Sequence, residues 1–430
     1  MSRLAITLLL PLASLSLAAS RDASQEPSQA WNHLRGPTGQ GHVVDDRVPL
    51  RWSETDNILW KTRLPGGGNS TPSIVGDRIY LTTSTEAGAV RGVACLRVSD
   101  GKQLWHQIAA RDLAQEKTHA WNGHASPSCV SDGKHVWAFF GTPGVFCYDI
   151  DGKLVWKKAF GTFASKPGWG TAASPFLYRD TVIINCDNDG GPGAAPADLV
   201  ALEKATGKVR WTTPRNQGRG FSTPRLMTVA GGRIDLVLNG PDGVWGYDPN
   251  TGKERWRCLR QDADEKHKFG EPIPVDDGQT MFITSGRPGP FQIVKVPGEG
   301  DITASHVLHA GVRKNHRDVS SPILWQGQVY CVDSKGVLSA YDFRTGKELF
   351  SGLIGNRSNL SLASPIAIQG KLLWVLDDGM TVVIQPGKSL QVVGRNKLAG
   401  EKLDFGASPA VLEGRLYLRS QQYLYCIGNK

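Results

Sequence analysis

The sequence has no G-x-S-x-G, H-E-x-x-H or phosphate-loop motif and no paired-carboxylate motif. Serine-hydrolase, zinc-peptidase and nucleotide-hydrolysing chemistries of the common kinds therefore lack their sequence marks. No five consecutive residues carry like charge, although 49 Lys and Arg outnumber 40 Asp and Glu. Positive charge spread this thinly implies no nucleic-acid partner. Long apolar runs are absent after the first 20 residues, and the first cysteine is Cys95.

The one apolar run, LAITLLLPLASLSLAA, follows Arg3 and ends in Ala18, Ala19 and Ser20. Pro11, Thr7, Ser14 and Ser16 dilute it below the ~20 apolar residues of a membrane span. It reads as a secretory signal over residues 1–20, cut after Ser20. No Cys follows the cut to carry a lipid, so a soluble periplasmic or extracellular protein is expected.

Glycine and proline are plentiful, 50 and 25 of 430 residues, and they recur with a period. A small residue or Glu precedes Pro72, Pro127, Pro175, Pro224, Pro272, Pro322, Pro365 and Pro409. Each mark leads into a short apolar segment, a Gly/Asp turn and an alternating strand such as RIYLTT, HVWAFF or RLYLRS. Most repeats add a third strand, a turn such as ATGK or NTGK, and a fourth strand ending in Trp105, Trp156, Trp211, Trp256 or Phe350. Four strands in about 45 residues make one propeller blade, which is stable only when stacked between neighbours. The large rings suit the seams between blades. The TGK glycine supplies the positive φ of a hairpin, so this is turn chemistry.

The predicted fold is all-β, an eight-bladed β-propeller of four-stranded antiparallel blades. The eighth repeat lacks its last strand, and Asn57–Lys61, with the same Leu-Trp-Lys ending, is expected to supply it and close the ring from the N-terminal side. The expected organisation is a signal peptide at 1–20, an N-terminal extension at 21–52 and the propeller at 53–430, as a monomer.

These repeats, with YDPNTGKERW and YDFRTGKELF as their clearest copies, resemble the PQQ-like (quinoprotein) repeat. The opening WNHLRGPTGQG is similar to that of many exported bacterial propellers. The resemblance implies one of two functions. BamB-like propellers are protein-binding modules of the bacterial envelope, and quinoprotein dehydrogenases are enzymes that need PQQ, a calcium ion, a catalytic Asp and, in the methanol type, adjacent cysteines. No two of the seven cysteines are adjacent, and the blades lack long insertions. The expected function is a non-catalytic binding or scaffold module with a protein or envelope partner. The alternative is a PQQ-dependent oxidoreductase acting on alcohols or sugars.

Among the candidate chemical groups, Asp187 and Asp189 in CDNDGGPG are the best calcium ligands, yet the segment reads first as a hairpin turn. His119 and His124 are two histidines without a third ligand. Cys95, Cys147 and Cys426 stand where other repeats have Ala or Gly, so they are expected to be small packing residues. Residues entering the innermost strands should gather at one mouth of the channel: His124, Trp169, Arg219, His267, Lys268, His316, Arg317, Asn359 and Asp404. Of these, His124, Trp169, Arg219, Lys268, His316 and Arg317 form the candidate ligand site, a basic and aromatic rim suited to a small anion or an acidic peptide.

Overall fold

The structure is a computed structural model that describes residues 30–45, 47–114, 116–163, 168–190, 193–215, 217–218, 220–260, 269–284, 286–287, 289–313 and 317–429. The predicted signal and its cut lie outside the described residues. Eight antiparallel sheets form the blades of a closed propeller. Blade one comprises Ser73–Val75, Arg78–Thr85, Val90–Arg97 and Gln103–Ala110, and the next six repeat this order from the channel outwards. Blade four also takes Gly300–Asp301 as a parallel fifth strand on its outer edge.

The eighth blade joins the two ends of the chain. Ala410–Leu412, Arg415–Arg419 and Tyr423–Ile427 are completed by Ile58–Arg63, which runs antiparallel to Tyr423–Ile427 with Trp60 opposite Cys426. The last blade thus has no unpaired third strand, as the missing C-terminal strand had predicted.

A single cross-strand rule recurs at the seams. The fourth-strand aromatic faces a small residue on the third strand: Trp105 opposite Cys95, Trp156 opposite Cys147, Trp211 opposite Ala201, Trp256 opposite Gly246 and Phe350 opposite Ala340. A Cβ on Gly246 would lie 2.1 Å from the Trp256 ring, so bulk on one strand requires its absence on the other. Blade five carries His309 opposite Ile293 in this slot, and blade seven reverses the bulk with Gly394 opposite Val383. All seven cysteines are buried free thiols. Those at positions 95, 147 and 426 fill the small side of this pairing.

The segment before the ring is a strap across the channel. Ala30–Trp31 pairs with the innermost strand of blade one, and His33 stacks on Phe176 of blade three at 4.6 Å. Gln40 accepts from the Asp276 amide of blade five at 3.0 Å. Arg35 donates to the Pro322 carbonyl of blade six at 2.7 Å, and Gly41 accepts from the Ala367 amide of blade seven. Asp45 then accepts from the amide of Gly414 in blade eight. Gly41, at φ +80°, passes so close to blade seven that a Cβ would lie 2.6 Å from the Pro365 carbonyl oxygen. One end of the channel is therefore floored by the chain's own leading segment.

Candidate functional site at the channel mouth

The entrance to seven of the eight innermost strands carries a hydroxyl, and these hydroxyls form a belt around the channel. The backbone N–H of Thr71 donates to Ser128 Oγ, Ser128 to Ser174, Ser174 to Thr223, Ile273 to Ser321, Ser321 to Ser364 and Ser364 to Ser408, all at 2.9–3.1 Å. The belt corrects the repeat marks in two blades. In blade two it uses Ser128, followed by Cys129 rather than Pro. In blade five it uses Ile273 before Pro274, two residues beyond the Glu271-Pro272 pair. Ile273 has no hydroxyl, so the belt is interrupted between Thr223 and Ile273.

Above the belt lies a cavity of about 170 Å³, with Leu34 of the strap at its base and Trp121, Asn122, Trp169, Phe221, Glu271 and Arg317 on its walls. The guanidinium of Arg317 sits 4.4 Å from the Trp169 ring and 4.4 Å from the Phe269 ring. Its edge is gripped by Glu271: Arg317 Nε donates to Oε2 at 3.0 Å and Nη2 donates to Oε1. The two rings are themselves 4.9 Å apart and tilted by 55°, so the cation caps the corner they share while the carboxylate binds its edge. Burial pushes the Glu271 carboxyl up, and Arg317 opposes the shift.

The loop carrying Trp169 is tied to the neighbouring loop, since Asn122 Nδ2 donates to the Trp169 carbonyl at 2.7 Å. His119 meets Trp121 edge-on at 4.9 Å and Trp169 at 6.2 Å. Burial first, then the charge of Arg317, lowers the His119 pKa and favours the neutral ring.

Of the residues expected at the rim, the structure brings Trp169 and Arg317 together in this cavity. Arg219, His267, Lys268 and His316 lie outside the described residues. His124 lies beside Arg91, whose Nη2 is 3.2 Å from its Nδ1 and 2.5 Å from Glu116 Oε2. Burial, followed by the Arg91 charge, lowers the His124 pKa, with Glu116 opposing. Asn359 and Asp404 accept from the amides of Asn356 and Glu401 in their own loops.

Asp187 has a different partner from calcium. Arg215 Nε donates to its Oδ1 at 2.8 Å and Nη2 to its Oδ2 at 3.1 Å, with both side chains fully buried. Arg215 also donates to the Tyr247 hydroxyl at 2.6 Å and lies 5.1 Å from the Trp245 ring. Burial raises the Asp187 pKa, with Arg215 opposing. Asp189 stands near Gly218, where an added Cβ would meet its Oδ1 at 2.4 Å. Among the described residues no group of three or more His, Cys, Asp or Glu is placed to hold a metal ion.

Sequence reasoning missed Glu271 as a partner for Arg317, and it did not use Trp121, Phe221 or Phe269. Glu271 carried a usable signal. It lies one repeat before Arg317, and residues one period apart come to adjacent blades.

The fold and its mouth define a class: a closed propeller whose channel is floored by its own N-terminal strap. The family model described as outer membrane protein assembly factor BamB matches residues 43–116, 89–257, 192–287 and 242–429, and the chain belongs to that PQQ-like repeat family. It is 22% identical over 333 residues to the outer membrane protein assembly factor BamB of Burkholderia pseudomallei, covering 75% of this chain and 68% of the relative. It is 23% identical over 313 residues to a 1-butanol dehydrogenase (quinone) of Thauera butanivorans, covering 67% of this chain; the match spans about half, 46%, of that enzyme. Among solved structures, BamB from Moraxella catarrhalis superposes with a TM-score of 0.62 at 14% identity, over 86% of this chain and 99% of that one. A europium-containing methanol dehydrogenase gives 0.64 at 10% identity, over 93% and 98%. At these identities the structural likeness shows the fold alone.

Proposed function

We propose that the protein is an exported, non-catalytic propeller that acts as a protein-binding or scaffold module of the bacterial envelope. The observation that carries this reading is the internal pairing among the described residues of the mouth, where Glu271 grips Arg317 and Arg317 covers a face of Trp169. A carboxylate that ligates calcium or takes a substrate proton must offer a free lone pair in a reachable place. Each oxygen of Glu271 and Asp187 already accepts from a guanidinium, and the two side chains are at most 10% exposed, which limits reach to the lone pairs that are left.

PQQ with calcium does not fit the residues as they are arranged. A flat quinone would have to displace Arg317 from Trp169, and a calcium ion would have to displace the same arginine from Glu271. The apolar leader supports export, and the BamB relative supports a partner in the envelope. Among the described residues no helix is long and apolar enough to cross a membrane. The partner surface proposed here is the open mouth, where the loops before blades two and three carry the half-buried Trp121 and Trp169.

A photo-crosslinking residue at the exposed Ala120, in protein made in its own envelope, tests this reading. The expected result is a discrete protein adduct that is lost when the crosslinker sits at Thr38, exposed on the strap. Equal adducts from both faces, or none from mouth positions, would overturn it.

A further inference from the structure

The mouth cavity is blind, and its described lining is electrically neutral overall. Leu34 of the strap lies at its base, and the one charged pair, Glu271 with Arg317, is matched within itself. Two hydroxyls at this cavity are buried and lack any hydrogen-bond partner: Thr71 Oγ1 and Ser126 Oγ. Thr71 is 2% exposed. Its counterparts Ser128, Ser174, Thr223, Ser321, Ser364 and Ser408 all accept a backbone N–H from the preceding blade, so Thr71 is the one belt hydroxyl that accepts none. A buried hydroxyl left unpaired costs free energy that a suitable ligand group would recover.

We infer that this cavity binds one ring of a neutral sugar. The inference goes beyond the protein-binding reading and does not depend on it. An anion entering here would find Arg317 already engaged by Glu271. An apolar ligand would leave Thr71 and Ser126 unpaired and so recover none of that cost. A sugar ring answers both conditions, because its hydroxyls donate and accept while its C–H face packs on Trp121 and Trp169. The volume of about 170 Å³ falls below the ~300 Å³ at which pockets for drug-sized molecules begin, so one ring is the fitting size.

Calorimetry and saturation-transfer NMR on the full mature chain test the inference, with glucose, galactose, mannose and N-acetylglucosamine as probes and citrate as the anionic control. At least one neutral sugar should bind in preference to citrate. Thr71→Val and Ser126→Ala should each weaken binding about fivefold, as expected for loss of one hydrogen bond. Trp121→Ala should weaken it ~tenfold or more through loss of the stacking surface. Thr71→Val should keep the wild-type melting temperature, because its hydroxyl has no protein partner, so a binding loss in this variant cannot be attributed to unfolding. Silence from all four sugars, binding of citrate alone, or unchanged sugar binding in Thr71→Val and Ser126→Ala would each overturn the inference.

Discussion

Trp156 donates its indole N–H to the carbonyl oxygen of Lys204 at 2.8 Å, and its ring lies over Gly207 of the same turn in the next blade. Trp105 does the same to Ile150 and Gly152, and Trp60 closes the ring on Val98 and Gly101. The turn glycine therefore has two roles. It adopts a positive φ within its own blade, and it leaves space for the aromatic residue of the blade before it.

A comparison of two glycines separates these roles. Gly207 and Gly327 have φ of +69° and +77°, but a Cβ on Gly207 would meet the Trp156 ring at 2.6 Å, whereas one on Gly327 would meet nothing within 4 Å. Gly327→Ala should cost about 1 kcal/mol from backbone strain alone. Gly207→Ala should cost about 2–4 kcal/mol by adding overpacking at the seam. Urea midpoints measure both, and equal losses would remove the seam role.

Docking of the strap should be sensitive to acid through His33. Burial first, then the charge of Lys204, lowers its pKa from 6.5 to about 3. The folded protein keeps this ring neutral where the unfolded chain would protonate it. Its contribution to stability is complete above 6.5 and is lost as pH falls towards 3, at a slope of up to ~1.4 kcal/mol per pH unit. His33→Phe keeps a ring against Phe176 and removes the titration. Its stability should fall less steeply with acid than that of the parent, as measured by denaturation from neutrality to pH ~4. Parallel acid limbs would contradict the assignment.

Glu271→Gln should expose the charge that the parent protein conceals. Removing one partner of a largely buried pair costs about 3 kcal/mol. The variant should therefore melt earlier, yet it should also gain affinity for citrate that falls with added salt, because Arg317 is no longer matched. Unchanged citrate binding in a folded variant would show that Arg317 does not command the mouth.

The ring, its period and its closing strand were legible because each depends on local alternation, turn chemistry and a repeated spacing. The belt was less so. Pro127 and Pro272 imitate the repeat mark, and only the hydrogen bonds place Ser128 and Ile273 in the series. The basic and aromatic rim was read from place in the repeat and residue type, with no partner assigned to its charges. What neutralises Arg317 and Arg215 lies 46 and 28 residues earlier, at Glu271 and Asp187. A sequence lists such charges one by one, whereas the fold pairs them. The strap was read only as an extension, because a segment with two paired residues and many single contacts has no periodicity to reveal it.

The central claim, a mouth neutralised for binding rather than chemistry, is tested most directly by adding PQQ and calcium to the purified mature protein. The quinone absorbance and the reduction of an electron-accepting dye are then followed with simple alcohols and sugars. The account predicts an unshifted quinone spectrum and no substrate-dependent dye reduction. A stoichiometric, calcium-dependent spectral shift accompanied by dye reduction would contradict it.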